Sequence, residues 1–175
     1  MTRSQTGFAF LSSIALAALL AGPAQAQTSP HEAVARLLRA DQPAEALRRA
    51  EELLADRPND AQLRFLRGVA QSQSGAGEAA LTTFTELTRD YPELPEPYNN
   101  LAVLHAAAGR LDDARGALET ALRLSPGYAT AYQNLGDVHV RLAARAWQRA
   151  LELDPANPAL RPRLQVLQQL PTEAR

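Results

Sequence analysis

The sequence predicts an all-α chain built of stacked antiparallel helix pairs, and three observations carry that expectation. Pro58, Pro92 and Pro126 are each separated by 34 residues. Between these prolines, apolar residues recur three and four apart, which is the stripe of one helix face. Each stretch is also divided by a tight turn. In Tyr98–Pro126, the stretch around which the chain is organised, Leu101, Leu104 and His105 mark a first helix. Gly109 ends it, because glycine takes the left-handed conformation at little steric cost. Asp112 and Asp113 favour the positive end of the next helix dipole. Ala114, Leu118, Ala121 and Leu122 then give that second helix an apolar face, and Pro126 stops it. A pair of short helices cannot bury both faces alone, so several must stack.

At the start of the chain, Met1–Ala26 reads as a signal peptide. Arg3 supplies a positive charge, Phe8–Ala21 an apolar core and Ala24-Gln25-Ala26 a small-x-small cleavage site. Fourteen apolar-core residues are too few to span a bilayer, and no second apolar run follows. The expectation is a periplasmic or secreted protein beginning near Gln27, with no membrane span after cleavage.

Composition narrows the chemistry. The chain has no cysteine, which excludes disulfides, thiol catalysis and zinc–thiolate sites. All 18 basic residues are arginine, so a P-loop lysine, a Schiff base and a lysine general base are excluded too. Without Arg3, 17 arginines face 19 acidic residues. A chain so near neutrality lacks the concentrated basic face that nucleic-acid binding requires.

In the first pair, Val34, Leu37 and Leu38 face inward, and Asp41-Gln42-Pro43 makes the turn, with proline suited to a first helical turn. Leu47, Ala50, Leu53 and Leu54 continue the apolar face, while Glu51 and Glu52 join Arg48 and Arg49 on a solvated side. In the second pair, Ser74-Gly75-Ala76-Gly77 is a turn without the GxxxxGK[ST] phosphate pattern. Downstream, Pro92 and Pro95 have a PxxP spacing, which reads as one helix stopping and the next starting rather than as a polyproline ligand.

The period extends to individual side chains. Tyr98, Leu101, Ala102 and His105 reappear as Tyr132, Leu135, Gly136 and His139, and Ala46, Ala80 and Ala114 fall in register. This resembles the tetratricopeptide repeat, whose pattern has a 34-residue period: W-x2-L-G-x2-Y, then A-x3-F, then P. Tyr132, Leu135, Gly136 and His139 match its first half, and Ala80, Phe84 and Pro92 its second. The resemblance spans roughly Ser29–Asn157 and implies a right-handed α-solenoid. Its expected repeats lie near residues 29–60, 61–94 and 95–128, with a shortened fourth near 129–157 and a C-terminal helix near 159–170.

The resemblance also implies a concave groove lined by the first helices. Phe65, Leu66, Val69, Asn100, Asn134 and Arg141 share one phase and are the expected partner-groove residues, with Gln62, Asn99, Gln133 and Asp137 nearby. Phe65 either packs against the first repeat or, if exposed, anchors a partner. Asn100 and Asn134 are expected to be stacked neighbours that hydrogen-bond an extended peptide backbone. A clamp on a terminal carboxylate is disfavoured, since only Arg141 stands near. His105 and His139, where the family usually has tyrosine, read as packing residues rather than metal ligands. No HExxH, GxSxG or Asp-rich loop occurs, and neither metal nor cofactor is expected.

These features favour a non-catalytic adaptor that binds a protein or peptide in the bacterial cell envelope. A self-associating structural protein, forming a homodimer through its C-terminal helices, ranks second. An accessory subunit of a cell-wall enzyme ranks third.

The fourth repeat is five residues short, because Pro126 and Pro155 are 29 apart. Matching from both ends places the deletion at the internal turn. The expectation is a single helix over Thr130–Leu153, about 36 Å long. It would overrun the stack and expose Trp147 and Leu151 unless Leu160–Leu170 or a second copy covers them; a tight bend near Leu142–Ala144 is the rival arrangement.

Overall fold

The computed structural model describes residues 29–168, so Met1–Ala26, the expected signal peptide, and Leu170 lie outside the described residues. Among the described residues the chain forms eight α-helices and no strand. They are α1 (Pro30–Arg39), α2 (Pro43–Asp56), α3 (Ala61–Gln73), α4 (Gly77–Asp90), α5 (Pro95–Ala107), α6 (Leu111–Leu124), α7 (Ala129–Leu153) and α8 (Leu160–Gln168). The first six make three antiparallel pairs of a right-handed solenoid, each packed on the next.

Two kinds of turn repeat along the chain, each with its own chemistry. Within the pairs, Asp41, Gly75 and Gly109 occupy the left-handed region at φ 54°, 79° and 75°. The amide of the following residue donates back across the turn each time: Gln42 to Leu37, Ala76 to Gln71 and Arg110 to His105, at 2.9–3.0 Å. Between the pairs, Asp60 N–H donates to Arg57, Leu94 to Tyr91 and Tyr128 to Ser125. Asn157 makes the same closure on Asp154, so the outer turn survives in the fourth repeat. The inner one does not, because the residues that would supply it are missing. Helix α7 therefore runs unbroken for 25 residues, the single long helix that the sequence predicts.

Three clusters form the core. The first joins Val34, Ala46, Ala50 and Leu54 to Leu63, Leu66 and Ala70 of α3. The second centres on Ala80, Phe84, Leu87 and Leu101. The third joins Ala102, Leu111, Leu118 and Ala121 to Ala131 and Val138 of α7. Phe84 is fully buried because Gly68 makes room for it: a Cβ at Gly68 would lie 2.7 Å from its ring. Beside this contact, Arg64 is buried, 2.8 Å from Asp90 and stacked 5.9 Å over the Tyr91 ring. Asp60 caps α3, accepting from the Leu63 amide at 3.0 Å, and bonds His31 of α1 at 2.9 Å. That pair fastens the first helix to the second repeat. On the solvated side of α2, Arg48 and Arg49 pair with Glu52, as the charge pattern implies.

The second half of α7 runs past the solenoid. Arg145 bonds Asp112 at the start of α6 at 2.7 Å, the last tie before the overrun. Helix α8 folds back along the projecting part, burying Leu160 and laying the Arg163 guanidinium 5.7 Å from the Trp147 ring centre. Trp147 and Leu151 are thus half-buried, in keeping with the expected cover. Leu153 remains 73% exposed.

A candidate peptide cleft on the first helices

The concave side of the solenoid is made by α1, α3, α5 and α7, and it is cleft between α5 and α7. A cleft of about 360 Å³ lies there. Val103, Ala106 and Ala107 of α5 form one wall, Ala102, Leu118 and Val138 the floor, and Asn134, Asp137 and Arg141 the opposite wall. The polar three stand at i, i+3 and i+7 on α7, the spacing that keeps side chains on one helix face. The cleft thus sets a small apolar floor beside one cation, one anion and one amide.

Asn134 is fixed by a bond to a buried residue. Its Nδ2 donates to Asn99 Oδ1 at 2.9 Å, and Asn99 is 6% exposed. One amide hydrogen and the carbonyl oxygen of Asn134 stay available, the donor and acceptor that a peptide backbone offers in return. The expected stacking of Asn100 on Asn134 is therefore corrected. The side chain that Asn134 bonds is Asn99, 35 residues before it. Asn100 instead returns its own Nδ2 to Glu96 O at 2.9 Å.

Of the six expected groove residues, Asn134 and Arg141 line the cleft. Leu66 is a correction: it is 6% exposed and belongs to the first core. Phe65 and Val69 pack on the second core, with the Phe65 ring 5.7 Å from that of Phe84, so Phe65 does not lean on the first repeat. The cleft walls that sequence reasoning missed, Val103 and Ala107, carried a readable signal. Val103 follows Val69 and precedes Asp137 by 34 residues, and Ala107 stands in the same relation to Arg141.

The two histidines part company. His105 is partly buried and accepts from Arg110 Nε at 3.0 Å. Burial first, then the Arg110 charge, holds its imidazole below the ordinary value of 6.5. His139 is exposed, which corrects its reading as a packing residue: among the described residues no helix packs on it. Among the described residues no group of three or more His, Cys, Asp or Glu could hold a metal, and no helix is long and apolar enough to cross a membrane.

The sequence profile of the tetratricopeptide repeat family matches residues 32–95 and 75–129. The chain belongs to the tetratricopeptide repeat family. Over 83 residues, 45% of this chain, it is 37% identical to the tetratricopeptide repeat domain-containing protein PYG7 of Arabidopsis thaliana chloroplasts. Those residues span only 28% of that relative's length. Among solved structures it is similar to TTC0263, a thermophilic tetratricopeptide protein of Thermus thermophilus, at TM-score 0.62 and 23% identity over 79% of each chain. It is similar as well to the second such domain of human RPAP3, solved with the HSP70 peptide SGPTIEEVD. There the TM-score is 0.58 and the identity 19%, over 63% of this chain and 92% of that one. At these identities the two structures speak for the fold alone.

Proposed function

We propose that the chain is a non-catalytic adaptor of the bacterial cell envelope that holds an extended peptide segment of a partner protein between α5 and α7. The observation that carries this reading is the cleft itself: an apolar floor beside Asn134, whose orientation is fixed by buried Asn99. A segment lying along α7 would place small apolar side chains against Val103 and Ala106 and its backbone against Asn134. Asp137 and Arg141 would select charge at neighbouring positions. The binding of a peptide by a domain of the same fold in RPAP3 supports the mode, and the Met1–Ala26 pattern supports the compartment. Work as an accessory subunit of an envelope enzyme would use the same cleft.

The test is to select binders from a random peptide display on the immobilised chain and measure them by calorimetry. Asn134→Ala and Arg141→Glu should each weaken a selected peptide about ten-fold, equal to about 1.4 kcal/mol. Arg123→Ala, at the exposed end of α6, should leave it unchanged. Equal affinity in all four proteins would overturn the reading. For the compartment, N-terminal sequencing of the exported chain should begin near Gln27; an intact Met1 would contradict it.

A further inference from the structure

The lost turn leaves half of a hairpin bare. In the second repeat, α4 lies on α3: Phe84 meets Gly68, Thr83 Oγ1 donates to Gln71, and Arg64 pairs with Asp90. The corresponding residues of α7 are Tyr132, Gly136 and His139, and among the described residues no helix covers them. Tyr132 is 55% exposed, His139 is exposed, and a Cβ at Gly136 would meet nothing within 4 Å.

Further along the same helix, Ala143, Trp147 and Ala150 repeat the second-helix pattern of Ala80, Phe84 and Leu87. At 3.6 residues per turn, all six positions fall within about 80° of one another. One helix face thus carries both the socket and the knob of a repeat, end to end. A chain missing five residues of turn cannot bring the two together by itself.

We propose that a second copy of this chain covers that face. The two α7 helices lie antiparallel about a two-fold axis near Leu142, and each pair of half-helices rebuilds a fourth repeat between chains. The α3–α4 contacts fix the register. Gly68 on Phe84 becomes Gly136 on Trp147 of the second copy, and Arg64 on Asp90 becomes Tyr132 on Leu153 of the second copy. The register thus brings together Tyr132 and Leu153, two of the large apolar side chains that the single chain leaves in water. Each contact occurs twice, as a two-fold interface requires. Helix α8 covers Trp147 only in part, leaving it half-buried, and the neighbouring Ala146 is exposed, so room remains beside α8 for a second helix. Arg141 is about 180° around α7 from Tyr132, so the peptide cleft stays open and is independent of the dimer.

Sedimentation equilibrium of the purified chain, from about 1 to about 100 µM, should give twice the chain mass. Gly136→Arg has room in the single chain but none against Trp147 of a second copy. It should give a monomer with unchanged helical circular dichroism. Because the chain lacks cysteine, an oxidised mixture of Tyr132→Cys and Leu153→Cys should cross-link into mixed dimers, and either variant alone should not. A monomer at the highest concentration, a dimer that survives Gly136→Arg, or equal cross-linking of each variant alone would overturn the proposal.

Discussion

Replacing Gly68 by alanine separates two effects that usually travel together. Alanine in a helix interior is better than glycine by about 1 kcal/mol. Gly116, in the middle of α6, has open space where a Cβ would go, so Gly116→Ala should gain most of that amount. At Gly68 the same methyl would sit 2.7 and 2.8 Å from two ring carbons of Phe84 and 3.1 Å from Thr83 Cγ2. Carbon atoms rest at about 3.5–4.0 Å, so the overlap approaches an ångström. The ring has little room to retreat, because Phe84 is fully buried and Phe65 flanks it at 5.7 Å. Overpacking of this kind costs about 1–3 kcal/mol. Subtracting the helix gain, Gly68→Ala should be destabilised by up to about 2 kcal/mol while Gly116→Ala is stabilised. Urea unfolding of the three proteins reads this directly as a shift of midpoint at constant slope. If both variants move the midpoint up by the same amount, the close approach of α3 and α4 is wrong.

Truncating the other partner, Phe84→Ala, should cost about 3–5 kcal/mol and should speed amide exchange first in α3 and α4, since solenoid repeats lean only on their neighbours. Asp60→Ala removes the α3 cap and should cost about 1 kcal/mol in thermal unfolding. Burial raises the Asp60 carboxyl, but the bonds from the Leu63 amide and His31 outweigh it and leave the pKa below the ordinary 3.8. The bound carboxylate therefore stabilises the fold fully above pH 3.8, and that stability is lost as pH falls through the lower folded value. Urea midpoints across this range should fall for the natural chain and stay flatter for Asp60→Ala. His105 should titrate by NMR with a midpoint under 6.5, and Arg110→Gln should move it upward.

The helices and their turns were legible because each is written locally. Pro58, Pro92 and Pro126 stop helices, Asp41, Gly75 and Gly109 take the left-handed turn, and a missing turn shows as a shortened period. The long α7 could be read from what was absent between Gly136 and Pro155. The cleft was only half legible. Phase along a helix says which residues share a side, but a solenoid helix is covered on several sides at once. Leu66 has the phase of Asn134, yet α3 turns that side into the first core, where apolar Leu66 belongs. Asn134 bonds Asn99, 35 residues away, a contact that strict 34-residue counting hides.

Amide chemical shifts of the labelled chain, recorded while a selected peptide is added, test the adaptor reading most directly. The cleft between α5 and α7 predicts saturable changes concentrated at Val103–Ala107 and Asn134–Arg141, with α2 and α4 quiet. Changes centred on α2 or α4, with Asn134 and Arg141 unmoved, would contradict it.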